Sequence, residues 1–339
     1  MTSPAQQTGA LSPDDVARLT RLLGAAPTAA KSLGDQHGAG HFRLSLADGR
    51  EAFAKIQTDA RNEAGRLSAA HLAAAAGVTA DQAAAFAADP GGYAAEAASL
   101  RWLAEAGAVP VPAVLAADDG CVVIEWLHPE QPTRAAAAVF GRELARLHAF
   151  GAGQFGAPWP GVIAGLPLPN TQLNTQANTQ LNTQADAKAD GWPEWYAANR
   201  VLPYVRIARD SGALDADQSQ LIESAAARIP EVAGPPEPPS RIHGDCWAGN
   251  VLWSRSRAWL IDPAAHGGHR ETDLAMLALF GAPHLPEIMA AYQDAAPLAD
   301  GWRGRVPLHQ LHPLLVHVCL FGSSYTGAAL DAARAVLAL

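Results

Sequence analysis

Polar and apolar residues alternate with a period of two over His41–Ala47 and again over Arg50–Gln57, with Asp48-Gly49 between them. Successive side chains of a strand point to opposite faces, and Asp-Gly tolerates a tight turn, so the stretch predicts an antiparallel hairpin. In Glu51-Ala52-Phe53-Ala54-Lys55-Ile56 the alternation puts Phe53 and Lys55 on one face. A lysine beside a phenylalanine on an inward face needs an anion. An isolated lysine is usually solvated, so Lys55 gains meaning only through its partners.

The spacing turns helical over Tyr93–Ala106, where Glu96, Leu100 and Leu103 fall at i, i+4 and i+7. An acid on an apolar stripe calls for a cation, and Lys55 is the candidate. Glu63 is the rival partner for that lysine, and a glutamate at the stripe's wet edge is the plain alternative. Between the hairpin and this helix, the Ala-rich run 61–88 predicts one or two extra helices. Val109-Pro110-Val111-Pro112 ends the helix, and Cys121–Leu127 reads as a buried strand.

Further along, His243–Asn250 reads HGDCWAGN, and Asp262 follows the apolar run Ala258–Ile261. Strand, loop, strand is the predicted order, with Asp245 and Asn250 on one loop and Asp262 at the end of the next strand. Asp245 precedes Asn250 by five positions, the spacing of the aspartate and asparagine in the protein-kinase catalytic loop. Asp245 is the candidate base, and Asn250 and Asp262 are hard oxygen ligands suited to Mg²⁺. Alone, each has a bland use in capping or turning. Together at these spacings they point to phosphoryl transfer from ATP.

That chemistry gives the upstream residues roles. Lys55, held by Glu96, would meet nucleotide phosphate. The end of the buried strand, Glu125, Trp126 and Leu127, would present backbone groups to adenine between two lobes. Gly34-Asp35-Gln36-His37-Gly38-Ala39-Gly40 is a loose glycine loop with Gly34 and Gly38 toward the phosphates, although such a loop alone is more often only a turn.

These residues, with AEAASLRWL around Glu96, GRELARLH at Gly141–His148, IDPAAHGGHRETDLAMLALFG from Ile261 and LLVHVCLFGSSY ending at Tyr325, resemble the fructosamine (ketosamine) kinase family, a relative of aminoglycoside and choline kinases. The resemblance spans roughly residues 30 to 326. It implies an α+β, two-lobed kinase-like fold and phosphorylation of a ketosamine hydroxyl, in free adducts or on glycated protein lysines, as deglycation repair. It also implies Trp247 and His243 on the acceptor side, with Asp273 and His148 supporting the catalytic loop. Cys246 departs from the family's leucine, the glycine loop lacks the family's paired glycines, and the interval from Lys55 to Glu96 is long. The expected organisation is a loose stretch 1–10, an N-lobe 11–127 that includes the helical insert, and a C-lobe 128–339.

Composition agrees with this picture. The 339 residues are 49% hydrophobic and 17% charged, as in a globular protein. A net charge of −9 argues against nucleic-acid or anionic-membrane partners. Three cysteines, Cys121, Cys246 and Cys319, lack metal-like spacing and suit buried thiols in a cytoplasm. No apolar run of 18 appears, so no membrane span is expected. The tandem NTQ(L/A) units within 170–190 read as a solvated surface loop of the C-lobe.

Three rivals stand beside the ketosamine reading. A metal-dependent hydrolase would use His243, Asp245, Asp262, His266 and His269 together. A silent nucleotide-binding module would lack a catalytic position. An aminoglycoside- or choline-type kinase would want extra carboxylates facing a polycation. His148 and His317 sit in apolar helical patterns, where a buried, hydrogen-bonded ring is the default.

Overall fold

The structure, a computed structural model, describes residues 11–36, 38–57, 68–172 and 191–339. The expected loose residues 1–10, Glu63 and most of the NTQ segment lie outside these described residues.

A capping box between Ser12 and Asp15 starts helix α1 (Pro13–Leu23). Strands β1 (Pro27–Gln36), β2 (Ala39–Leu46) and β3 (Glu51–Gln57) follow. After them come α2 (Ala69–Ala76), α3 (Ala80–Ala88), α4 (Tyr93–Ala104), β4 (Val114–Asp118) and β5 (Cys121–Glu125). The five strands form one antiparallel sheet in the order β1-β2-β3-β5-β4. One sheet face buries Phe42, Leu44, Leu46, Ala52, Ala54 and Ile56 with Leu19 and Leu23 of α1. The period of two therefore leaves His41, Arg43, Phe53 and Lys55 on the opposite face, with His41 directly across from Lys55. Helix α4 packs on that face through Tyr93, Ala97 and Leu100, beside Val122 and Ile124.

The larger lobe is mainly helical. Its elements are α5 (Arg134–Phe150), the hairpin β6 (Gly161–Ile163) and β7 (Leu166–Leu168), α6 (Trp192–Tyr196), α7 (Leu202–Asp210) and α8 (Ala216–Val232). Then come β8 (Ser240–Ile242), β9 (Val251–Ser254), β10 (Arg257–Leu260), β11 (His266–Gly268), α9 (Arg270–Leu279), α10 (Leu285–Ala295), α11 (Trp302–Phe321) and α12 (Ser323–Leu337). Two short antiparallel pairs, β8 with β11 and β9 with β10, carry the polar loops of the site.

The described part of the Ala-rich run, 68–88, holds the two helices α2 and α3, and the attachment of α2 differs from the expected N-lobe placement. Ala75 and Ala76 of α2 lie in the core of the larger lobe, and Arg206 of α7 donates to the carbonyls of Ala75 (2.7 Å) and Ala76 (3.1 Å). A helix of small side chains lets a neighbour approach closely, and α7 supplies the guanidinium that satisfies its last carbonyls. Among the described residues no helix is long and apolar enough to cross a membrane.

Candidate active site

The loop between β8 and β9 is shaped by a glycine and an aspartate. Gly244 has φ +81°, and a Cβ there would lie 2.2 Å from the carbonyl oxygen of Ala264, so no other residue fits without moving backbone. Asp273, fully buried on α9, accepts from the backbone N–H of His243 (2.7 Å) and of Gly244 (2.9 Å). Behind it, His148 Nε2 lies 3.2 Å from Asp273 Oδ2 and its Nδ1 lies 2.8 Å from the Tyr292 hydroxyl. Burial alone would raise the Asp273 carboxyl, but His148 and the loop hold it below its usual range. Two elements remote in sequence thus fix the start of the loop.

Its end is fixed from within. Asn250 Nδ2 donates to Asp245 Oδ2 (2.8 Å) and to the Asp245 carbonyl (2.9 Å). Ile261 N–H donates to the Asn250 carbonyl (3.0 Å), which brings Asp262 alongside at the left-handed φ of +53°. Burial and neighbouring Asp262 push the Asp245 carboxyl up to about 7, against the lowering effect of Asn250.

The sheet delivers the cation. Lys55 Nζ sits 2.8 Å from Glu96 Oε2 and 2.5 Å from Asp262 Oδ1, joining residues 207 positions apart. Burial disfavours the ammonium, but Asp262 and Glu96 together raise its pKa above the ordinary lysine value. Burial raises the Glu96 carboxyl, whereas Lys55 keeps Asp262 below its usual range despite burial. Lys55, Glu96, Asp245, Asn250, Asp262 and Trp247 all line one cavity of about 210 Å³.

Other expected positions fall elsewhere. His243 is fully buried and does not line the cavity: its Nε2 lies 2.9 Å from the Ile261 carbonyl, and its Nδ1 accepts from the Asp245 N–H (3.2 Å). It props the loop from inside, which corrects its placement on the acceptor side. The glycine loop is the end of the β1–β2 hairpin. Gly34 is an exposed residue of β1 paired with His41, next to the register shift at Leu33, and Gly38 is in the turn, while Gln36, Ala39 and His41 are the hairpin residues lining the cavity. Strand β5 ends at Glu125, and the amides of Glu125 and Trp126 already donate to Ala113 O (2.9 Å) and Glu51 O (3.2 Å). Leu127 is buried just beyond, and none of the three lines the cavity.

Reading the sequence missed two cavity walls. One is the β6–β7 hairpin tip, Val162 to Gly165, and the other is the turn Pro90–Gly92 before α4. Ala164-Gly165 between two apolar triplets is a hairpin signal that could have revealed the first. The walls touch: a Cβ on Gly92 would lie 2.7 Å from Val162 Cβ.

The histidines expected of a hydrolase do not gather here. His266 turns Nδ1 to the Ala264 carbonyl (2.8 Å). His269 lies with Glu271 and His309 in a buried cluster whose ligand-capable atoms are within 4.8 Å of one another. Arg305 already grips both oxygens of that glutamate, at 2.5 and 3.0 Å. Neither His266 nor His269 lines the cavity.

Comparison with known proteins agrees with this geometry. The model of the family described as fructosamine kinase matches residues 78–338. The chain belongs to the fructosamine kinase family. It is 30% identical over 239 residues to "Probable ketoamine kinase YniA" of Escherichia coli K12, covering 69% of this chain and 77% of that protein. Mouse ketosamine-3-kinase is 34% identical over 145 residues, 42% of this chain and 46% of the mouse protein. The crystal structure of a "putative fructosamine-3-kinase" from Thermobifida fusca YX-ER1 superposes with a TM-score of 0.78 at 44% identity, covering 96% of this chain and 98% of that one. An ADP-bound aminoglycoside phosphotransferase, APH(2'')-Ib, shares the fold (TM-score 0.59, 13% identity, 96% and 99% covered). As a member of the family the chain is a phosphotransferase acting on an alcohol group, with ATP as the phosphoryl donor.

Proposed function

We propose that the protein transfers the γ-phosphoryl group of ATP to the hydroxyl on the third sugar carbon of a ketosamine, destabilising the adduct and so serving deglycation repair. The observation that carries the reading is the convergence of Lys55, Glu96, Asp245, Asn250 and Asp262 on one cavity with Trp247 in its wall. The donor set suits Mg²⁺: Asp262 and the amide oxygen of Asn250 are hard ligands, and the raised Asp245 carboxyl marks a surplus of negative charge. When bound, the ion neutralises phosphate charge.

Lys55, oriented by Glu96, meets phosphate oxygens once nucleotide competes for its contact with Asp262. Asp245 orients the acceptor hydroxyl. An alcohol of pKa roughly 16 lies about 9 units above a carboxyl at about 7, on the order of 12 kcal/mol, so prior ionisation is excluded. Asp245 therefore accepts the proton late, as the oxygen–phosphorus bond forms and ADP leaves. Asn250 keeps the carboxylate aimed through its 2.8 Å hydrogen bond.

A ketosamine fits better than a polycation. The carboxylates lining the cavity are Glu96, Asp245 and Asp262, of which Glu96 and Asp262 hold Lys55, while Val162, Ile163, Ala164 and Gly165 give an uncharged stretch of its wall. Trp247 is 38% exposed and offers a ring to the C–H face of a sugar. The test is phosphate transfer from ATP to fructosyl-lysine, ribulosyl-lysine and an aminoglycoside, by wild type and Asp245→Asn. Transfer to at least one ketosamine, reduced by several orders of magnitude in the variant, is expected. An aminoglycoside accepted in preference to both ketosamines would refute the acceptor assignment.

A further inference from the structure

Helix α4 belongs to two cores at once. Tyr93, Ala97 and Leu100 pack on the sheet of the smaller lobe, whereas Leu103 lies in a core of the larger lobe with Phe140, Leu144 and Leu260. At the end that enters the larger lobe, α4 meets Arg241 of β8, four residues before Asp245. Arg241 is only 6% exposed. Its guanidinium carbon lies 4.1 Å from the ring centroid of Trp102 on α4 and 4.6 Å from that of Phe150 at the end of α5. Its nitrogens donate to the Trp102 carbonyl, to Glu105 Oε2 (3.1 Å) and to the Gly151 carbonyl (3.4 Å).

These are the contacts of a helix cap supplied from the other lobe. The carbonyls of Arg101, Leu103 and Ala104 accept from the N–H groups of Glu105, Ala106 and Gly107, while that of Trp102 accepts from Arg241. A cation at a helix C-terminus also meets the negative end of the helix dipole. A guanidinium suits the place because it stacks on rings with its face and donates from its edge. Burial of Leu103 holds α4 against the larger lobe, but apolar contact has no direction. The hydrogen bonds of Arg241 fix how α4 is turned and how far it slides.

The position of α4 matters most once nucleotide binds. Lys55 bridges Glu96 on α4 and Asp262 of the larger lobe. Nucleotide phosphate competes with Asp262 for Lys55, which leaves Glu96 to aim the lysine. Glu96 lies six residues from Trp102 on the same helix, about 9 Å along its axis at about 1.5 Å per residue. A shift at one end of the helix is carried to the other.

We propose that Arg241 is a positioning residue for nucleotide binding: it fixes the C-terminal end of α4 to the strand that leads into the catalytic loop, and so holds Glu96 where it orients Lys55 toward phosphate. This rests on the roles proposed above for Lys55 and Glu96 and deepens them.

The experiment is calorimetric titration of Mg·ADP into the full chain, below the melting temperature of every variant. No acceptor is present, so an incorrect acceptor assignment leaves the test standing. Glu96→Gln should raise the Kd about tenfold and Arg241→Met about fivefold, while the double variant stays at about tenfold because both act through Lys55; independent effects would multiply to about fiftyfold. Arg241→Lys keeps a cation over Trp102 and should stay within about twofold of wild type. Phe150→Ser, at an exposed position, opens one face of the guanidinium and should raise the Kd about threefold. If Arg241→Met does not fold, Phe150→Ser decides, and an unchanged Kd there overturns the proposal. A Kd unchanged in Arg241→Met, or a loss that multiplies with that of Glu96→Gln, overturns it while leaving the site reading intact. A Kd unchanged in Glu96→Gln overturns the two together.

Discussion

The Asp245 carboxyl makes activity and stability oppose each other. Its pKa rises from an ordinary 3.8 to about 7 in the folded, ligand-free protein, first through burial and then through Asp262. Between those values the folded state holds a proton that the unfolded state has lost, so stability falls as pH rises from about 4 to 7. Three pH units correspond to about 4 kcal/mol. Because Asp245 lines an open cavity where water screens it, about 2 kcal/mol is the lower figure. For 339 residues, with an unfolding entropy of about 2.1 cal/mol/K per residue, the range translates to roughly 3–6 °C. Asp245→Asn cannot ionise and keeps an acceptor oxygen for Asn250. Melting in EDTA, without nucleotide, should therefore show the variant above wild type by that margin at pH 8 and the two converging near pH 4. Activity should fall by several orders of magnitude in the same variant. Parallel melting curves between pH 5 and 8 would show that Asp245 is not held at a raised pKa, and the electrostatic account of the cavity would fail.

Lys55→Met removes the cation between Glu96 and Asp262. Since Glu96 can take up a proton, a loss of about 3 kcal/mol in urea unfolding is expected, with at least a tenfold rise in the KM for ATP. Asp273→Ala strands the amides of His243 and Gly244 and should cost about 2–4 kcal/mol. It should lower kcat more than it raises the KM for ATP, and unchanged kcat would refute the bracing role. Trp247→Ala should raise the acceptor KM about tenfold and leave the KM for ATP within twofold, measured by steady-state kinetics. Chelation of divalent ions should abolish transfer and Mg²⁺ should restore it, whereas transfer that survives chelation would refute the divalent-ion role assigned to Asn250 and Asp262.

Much of this protein is written in local spacing. A period of two determines which face Lys55 shares, a period near four puts Glu96 in line with Leu100, and HGDCWAGN sets Asp245 and Asn250 five positions apart on one loop. These relations involve neighbours along the chain, so backbone geometry alone carries them. What only packing decided are relations across long separations. The sequence does not say that α2 seals against α7, that His243 turns inward, or that the β6–β7 hairpin walls the cavity. Nor does it lay Arg241 over the rings of Trp102 and Phe150. Each depends on which surfaces of separate elements come to rest together, and that is settled by the whole core rather than by any one segment.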